Sequence, residues 1–210
     1  MYTGADSTMS FAREKDFEQA LIDILVTKGW EKEVLRNPTE QDLLNNWAAI
    51  LFDNNRSIDR LNDAPLTAGE MQQIMEQITA LRTPLKLNGF INGKTVAITR
   101  DNPADPLNLG KEVSLKIYDR MEIAAGQSRY QIVQQPRFAS TSDMIGDHRG
   151  DLMLLINGMP VIHIELKKSG VAVSHACHQI EKYSHNGVFG GLFALIQIFV
   201  AMEPAETLYF

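Results

Sequence analysis

One dipeptide constrains this chain more than any other feature: Asn157-Gly158, set between two short apolar runs. The first run, Leu152 to Ile156, follows an acid, Asp151; the second, Met159 to Leu166, ends in Glu165-Leu166-Lys167. Apolar runs joined by Asn-Gly read as a β-hairpin. Side chains alternate along a strand. Val161, His163, Glu165 and Lys167 therefore share one face, and Ile162, Ile164 and Leu166 the other. A carboxylate and an ammonium fixed side by side on a core strand are unusual, because Glu and Lys are depleted in strands and rarely buried unless paired.

Register decides whether Asp151 joins them. A strict two-residue loop would pair Leu152 with His163 and turn Asp151 away from Glu165. A longer loop or a β-bulge shifts the pairing by one, so that Ile156 faces Pro160 and Asp151 faces Glu165. We expect the second arrangement, since it alone gathers Asp151, Glu165 and Lys167. Spacing by itself fits an exposed ion pair of small energetic consequence equally well.

The flanking sequence supplies a framework. Phe11 onward is helical in pattern, with Phe17, Ala20, Leu21, Ile24, Leu25 and Lys28 on one face and Gly29 as its stop. Glu14 and Glu18 lie beside that stripe and are expected as a solvated acidic flank. Thr39 and Asp42 resemble a capping box opening a helix to about Asn54, and Thr67 to Leu81 predicts another amphipathic helix. Gly89 to Thr95 imitates a phosphate-binding loop but has three residues between its glycines instead of four, and Val96 to Thr99 continues as a strand. We read Asn92-Gly93 as a hairpin turn and exclude nucleotide binding there. Lys111 to Tyr118 fits strand or helix. Arg129 to Pro136 has strand composition and should be the first strand of the sheet holding the hairpin, while Ser140 to His148 reads as a polar loop. Val173, Ala176, Cys177, Ile180 and Ser184 mark the buried side of a helix, with Gln179 and Tyr183 one turn apart on an adjacent face. Leu195 to Met202 suits a strand buried on both faces. The order is helix, helical insert, three strands, helix, strand: a mixed α/β arrangement.

Bulk properties narrow the function. A formal charge of -6 provides no global field for nucleic acid, so any DNA contact needs a local basic patch. Arg13, Lys15, Arg137, Arg149, Lys168 and Lys182 are the candidates. A single cysteine, Cys177, excludes an internal disulfide and a cysteine-based zinc site. No apolar run is long enough to cross a bilayer and no signal peptide is evident, so the expected location is cytoplasmic. The run from Ala205 to Phe210 starts like a strand and stops, which reads as a fragment of a longer chain.

Two carboxylates and a lysine at a hairpin end suit metal-assisted phosphodiester hydrolysis. Asp151 and Glu165 offer hard oxygen ligands for Mg²⁺, with the Leu166 carbonyl beside them. Lys167 could orient a water or stabilise developing negative charge.

Asp151, thirteen intervening residues and Glu165-x-Lys167 resemble the PD-(D/E)xK nuclease motif, with Gly150 where that motif often carries proline. Gln179-x-x-x-Tyr183 resembles the additional motif of RecB-type nucleases and of the R subunit of type I restriction enzymes. The phrases Phe11 to Glu18, Asp151 to Pro160 and Val161 to Lys168 look most like the amino-terminal nuclease domain of that R subunit. The resemblance spans the first helix and about Arg129 onward; Asn37 to Leu87 carries no matching motif and reads as a helical insertion within a single 1–210 domain. It implies a restriction-endonuclease-like core and Mg²⁺-dependent cleavage of double-stranded DNA. Asp151 and Glu165 would hold the metal and Lys167 would be catalytic. Gln179 and Tyr183 would contact DNA or steady the site, and Glu18 could reach the metal through water. It also implies partnership with modification and specificity subunits and a downstream ATP-driven motor, with no ATP site in this segment.

Competing readings are a RecB-type repair nuclease and a nuclease-like docking module that does not cut. Glycoside hydrolysis by an acid pair would not need Lys167 on the same face. His163-x-Glu165 resembles the zinc deaminases, but their paired cysteines are missing. His175, His178 and His185 lack metal-ligand spacing.

Overall fold

A computed structural model describes residues 10–81, 83–92, 95–117, 128–138 and 148–210. The expectations for residues 1–9 and for most of the 140–148 loop lie outside the described residues.

The central element is a six-stranded mixed sheet. Its strands, in chain order, are β1 (Val34–Arg36), β4 (Tyr130–Gln134), β7 (Leu152–Ile156), β8 (Met159–Leu166), β9 (Ile198–Glu203) and β10 (Glu206–Tyr209), and that is also their spatial order. β1 and β4 are parallel, β4, β7 and β8 antiparallel, β8 and β9 parallel, and β9 and β10 antiparallel. Helix α1 (Glu14–Thr27) precedes the sheet, and α5 (Ser174–His185) makes the crossover between the parallel strands β8 and β9. The expected core order of helix, three strands, helix, strand is present. The mixed α/β architecture is compatible with a restriction-endonuclease-like fold.

The two sheet faces bury different partners. On one, Ile132, Leu152, Leu154, Ile164 and Leu166 pack with Phe17 and Ile22 of α1. On the other, Val133, Met153, Leu155 and Met159 pack with the segment between β1 and β4. That segment holds α2 (Glu40–Asn54), α3 (Ala68–Ala80), α4 (Pro84–Asn92) and a ladder of β2 (Thr95–Thr99) with β3 (Glu112–Lys116). Thr39 and Thr67 both close capping boxes, on Asp42 and Glu70, satisfying backbone donors at the starts of α2 and α3.

Several expectations need correction. The Asn157-Gly158 loop has two residues, both at positive φ (51° and 83°), and pairs Ile156 with Met159, not Pro160. The register shift occurs later: Leu155 faces Pro160, Leu154 faces Ile162, and Val161 is the extra residue. Pro160 has no N–H for the ladder, and bulges are where sheets accommodate proline. Gly158 must be glycine here, since a Cβ would lie 2.9 Å from the Trp47 Cα of α2 and φ is positive.

The hairpin turn expected at Asn92-Gly93 finds no strand leading into it among the described residues, and Gly93 itself lies outside them. α4 runs through Asn92, and β2 pairs with the later β3. Ile24 is half exposed, and Ile22 takes the buried place on α1. Within Lys111 to Tyr118, Glu112–Lys116 forms strand β3, and Tyr118 lies outside the described residues. His148 belongs to the two-residue strand β6 (His148–Arg149), paired with β5 (Arg137–Phe138). Ser184 is exposed, and Tyr183 takes the buried position on α5. Leu195 ends a 3-10 helix (Gly191–Leu195), and β9 is only partly buried, with Ala201 as its buried residue, packed against Ala176 and Ile180 of α5. The first strand of the sheet is β1, ahead of Arg129 to Pro136.

Candidate functional site

The bulge at Val161 sets the geometry. Beyond it, Leu152 pairs with Ile164, so the same register carries Asp151 opposite Glu165. The expected juxtaposition is therefore met, by a bulge and not by a longer loop. Asp151 Oδ2 accepts a hydrogen bond from the Leu166 N–H at 2.7 Å, and the Asp151 carbonyl accepts one from the Gln135 N–H at 2.7 Å. Gln135 has φ of 53°, an uncommon backbone state that turns the chain after β4 toward Asp151.

Glu165 is fully buried. Its Oε1 lies 2.9 Å from His163 Nε2, and its Oε2 has no hydrogen-bond partner in the protein. An unpaired buried carboxylate oxygen costs roughly 1–3 kcal/mol or more. Burial first, opposed by Lys167, pushes the Glu165 carboxyl up to about 8. Burial, followed by the charge of Glu165, pushes Asp151 up to about 7, although the Leu166 N–H opposes this. The two acids hold protons that a cation would displace, since metal ligands must be deprotonated.

Lys167 and the α5 motif form one hydrogen-bonded chain. Lys167 Nζ donates to Gln179 Oε1 at 2.9 Å, Gln179 Nε2 donates to the Tyr183 hydroxyl at 2.8 Å, and that hydroxyl donates to the Arg149 carbonyl at 2.8 Å. One turn of α5 thus ties the lysine just beyond β8 to the Arg149 carbonyl, two residues before Asp151. Burial, then the charge of Glu165, pushes the Tyr183 hydroxyl up to about 12, so it stays a donor. Lys167 Nζ also lies 3.7 Å from Glu14 Oε1.

Glu18 corrects the expectation of a solvated flank. It is buried, with Oε1 unpartnered and Oε2 accepting from Gln135 Nε2 at 3.4 Å. Burial is the main reason its carboxyl is held above its ordinary value, and the charge of Asp151 adds to it. The site thus collects Asp151, Glu165, Lys167, Gln179, Tyr183 and Glu18. His175, His178 and His185 are exposed on α5, away from this pattern of buried groups. The reading from sequence missed His163 as part of the site. The signal was available: it alternates with Glu165 on one face of β8. Burial lowers its imidazole to about 4, so the ring is neutral near pH 7.

The donor set is hard oxygen. Among the described residues no three His, Cys, Asp or Glu side chains form a metal-holding group. Two carboxylates, one with an orphaned oxygen, match Mg²⁺, which takes one or two protein carboxylates and keeps several waters. They do not match structural zinc, which takes four nitrogen or sulfur ligands. Asp151 and Glu165 are the residues that would hold such an ion.

The six-stranded mixed sheet flanked by helices is compatible with the class of restriction-endonuclease-like domains. Residues 11–210 match the family model described as type I restriction enzyme R protein N terminus, and the chain belongs to that family. It is similar to the type I restriction enzyme SsaAORF53P endonuclease subunit of Staphylococcus saprophyticus, with 31% identity over 96% of this chain and 20% of that protein. It is also similar to the EcoprrI endonuclease subunit of Escherichia coli, with 31% identity over 97% of this chain and 60% of that protein. A Staphylococcus aureus endonuclease subunit, SauCOLORF180P, is 28% identical over 96% of this chain and 20% of its own length. The chain thus spans about a fifth to three fifths of these relatives. Among the described residues no helix is long and apolar enough to cross a membrane.

Proposed function

We propose that this domain performs Mg²⁺-dependent cleavage of double-stranded DNA as the nuclease part of a type I restriction R subunit. The observation that carries the reading is the placement of Asp151 against Glu165 beside Lys167, with Glu165 Oε2 left unpartnered. Supporting it, the curated relatives are endonuclease subunits by name.

Bound Mg²⁺ would supply Lewis-acid polarisation of a phosphate and a lowered pKa for water. The chain's own residues do the rest. Asp151 and Glu165 would release their protons to solvent and hold the ion through their carboxylate oxygens. Lys167, held by Gln179, orients the attacking water or balances the charge that develops on phosphorus. Tyr183 anchors the backbone at Arg149, two residues before Asp151. Glu18 offers a buried oxygen through which a water can be held.

On this reading the 1–210 segment works in a longer polypeptide with an ATP-driven motor, alongside modification and specificity subunits, in the cytoplasm. The formal charge of -6 favours a second outcome for the segment by itself, weak DNA binding without cutting. Cleavage in the full assembly with ATP and Mg²⁺ separates the two. Asp151→Ala and Lys167→Ala should each abolish cutting while leaving translocation intact. Cutting by both variants would end the assignment.

A further inference from the structure

His163 has no task in the reading above, yet its surroundings are specific. It is fully buried. Its ring meets Phe138, Phe189, Phe199 and Tyr183, with centroids 5.7, 5.4, 6.2 and 6.4 Å away. A histidine is a poor choice merely to fill an aromatic cage. Its Nδ1 has no hydrogen-bond partner, an unfavourable state for a buried polar atom that an aliphatic side chain would avoid. The compensating contact is at the other nitrogen, where Nε2 lies 2.9 Å from Glu165 Oε1.

The chain also makes room for this ring at a neighbouring position. A Cβ on Gly150 would lie 2.6 Å from His163 Cε1 and 3.0 Å from Phe138 Cε2. The imidazole therefore occupies space that any side chain just before Asp151 would need. Gly150 and His163 are sterically coupled, and both adjoin the acid pair.

We propose that His163 is a positioning residue: its Nε2–H donates to Glu165 Oε1 and fixes the carboxylate so that the unpartnered Oε2 is presented to a divalent cation. This rests on the metal-dependent reading of the same acids. An ionised glutamate only accepts hydrogen bonds. In the cation-bound state, where Glu165 has lost its own proton, the proton in this contact sits on Nε2 and Nδ1 is left as a lone pair among rings, without a partner. Partners of this kind orient a ligand and commonly change metal affinity about 10–100-fold.

Mn²⁺ titration of the 210-residue chain by calorimetry tests this, with His163→Leu and His163→Gln compared by thermal unfolding. His163→Leu fills the space without a donor, and His163→Gln restores a side-chain N–H at similar reach. We expect His163→Leu to remain folded with Mn²⁺ affinity at least about tenfold weaker, and His163→Gln to recover most of it. In the full assembly His163→Leu should lower kcat and leave KM for DNA unchanged. Wild-type affinity in a folded His163→Leu overturns the proposal and leaves the acid-pair reading standing. No Mn²⁺ binding by the unchanged chain overturns both. Should His163→Leu fail to fold, ¹⁵N NMR of the unchanged, Mg²⁺-loaded chain decides: an Nε2–H tautomer supports the proposal and an Nδ1–H tautomer overturns it.

Discussion

Among the described residues two groups of carboxylates are buried, and they are treated in opposite ways. In the segment between β1 and β4, Glu70 and Asp105 close on Arg100, all three fully buried. Arg100 donates to both acids and to the carbonyls of Leu61 and Ala64. Glu70 accepts from the Asp101 and Thr67 N–H groups as well. Burial alone would push Asp105 up, but hydrogen bonds from Asn108, Asn62 and Arg100 more than offset it and hold its carboxyl below the ordinary range. At the β7–β8 end, Glu165 and Glu18 each keep an unpartnered oxygen, and Asp151 and Glu165 are held above their ordinary values. Equal burial of the same residue types therefore has two meanings. A satisfied cluster fixes structure. An unsatisfied one stores unfavourable interactions that a cation can relieve.

The largest test of that contrast is Arg100→Leu. It strands two buried carboxylates and should destabilise the chain by about 3–5 kcal/mol, read from urea unfolding. A change below about 1 kcal/mol would mean the cluster is not the structural one. Asp151→Asn should act in the other direction. Removing a charge from the unsatisfied site should stabilise the metal-free chain at pH 8 by roughly 1–2 kcal/mol. For a chain of this size the midpoint would rise by about 2–4 °C per kcal/mol.

The pH profile sharpens the same comparison. Asp151 and Glu165 have raised values in the folded chain, about 7 and about 8, so the folded state binds more protons than the unfolded one at intermediate pH. The stability they contribute is fully present below the unfolded carboxyl values and is lost as pH rises through 7 and 8. His163 works oppositely: its folded value is lowered to about 4, so its contribution is lost as pH falls toward 4. Metal-free unfolding followed from pH 5.5 to 8.5 should show declining stability, and Asp151→Asn should flatten the decline. Smaller still, Gln179→Leu frees Lys167 from its tether and should cut DNA cleavage about tenfold, roughly 1.4 kcal/mol in barrier. Thr39→Ala, at the exposed N-cap of α2, should cost about 1 kcal/mol of stability and leave cleavage unchanged.

Much of this was legible in the residues, for local reasons. Alternation along β8 placed Glu165 with Lys167, and the need to bring Asp151 onto that face implied an odd register. Thr39 announced its helix through capping chemistry, and the apolar spacing within Thr67 to Leu81 announced the next. What was hidden depends on distant partners. Strand β1 has only Val34–Arg36 and gains its ladder from β4, nearly a hundred residues later. The bulge sits at Val161 because Pro160 lacks an N–H, while the Asn-Gly signal drew attention to the loop. Glu18 reads as a surface acid until Gln134, Gln135 and Asp151 enclose it. His163 looked like a side chain of the site face without a task, since the orphaned Glu165 oxygen that gives it one is a tertiary fact.

The most direct measurement is the position of Mn²⁺ in crystals of this chain, read from its anomalous scattering. The account predicts a peak in contact with an Asp151 carboxylate oxygen and with Glu165 Oε2, at roughly the 2.1 Å expected for a small hard cation. A peak elsewhere, or none at these two carboxylates at saturating Mn²⁺, would contradict it.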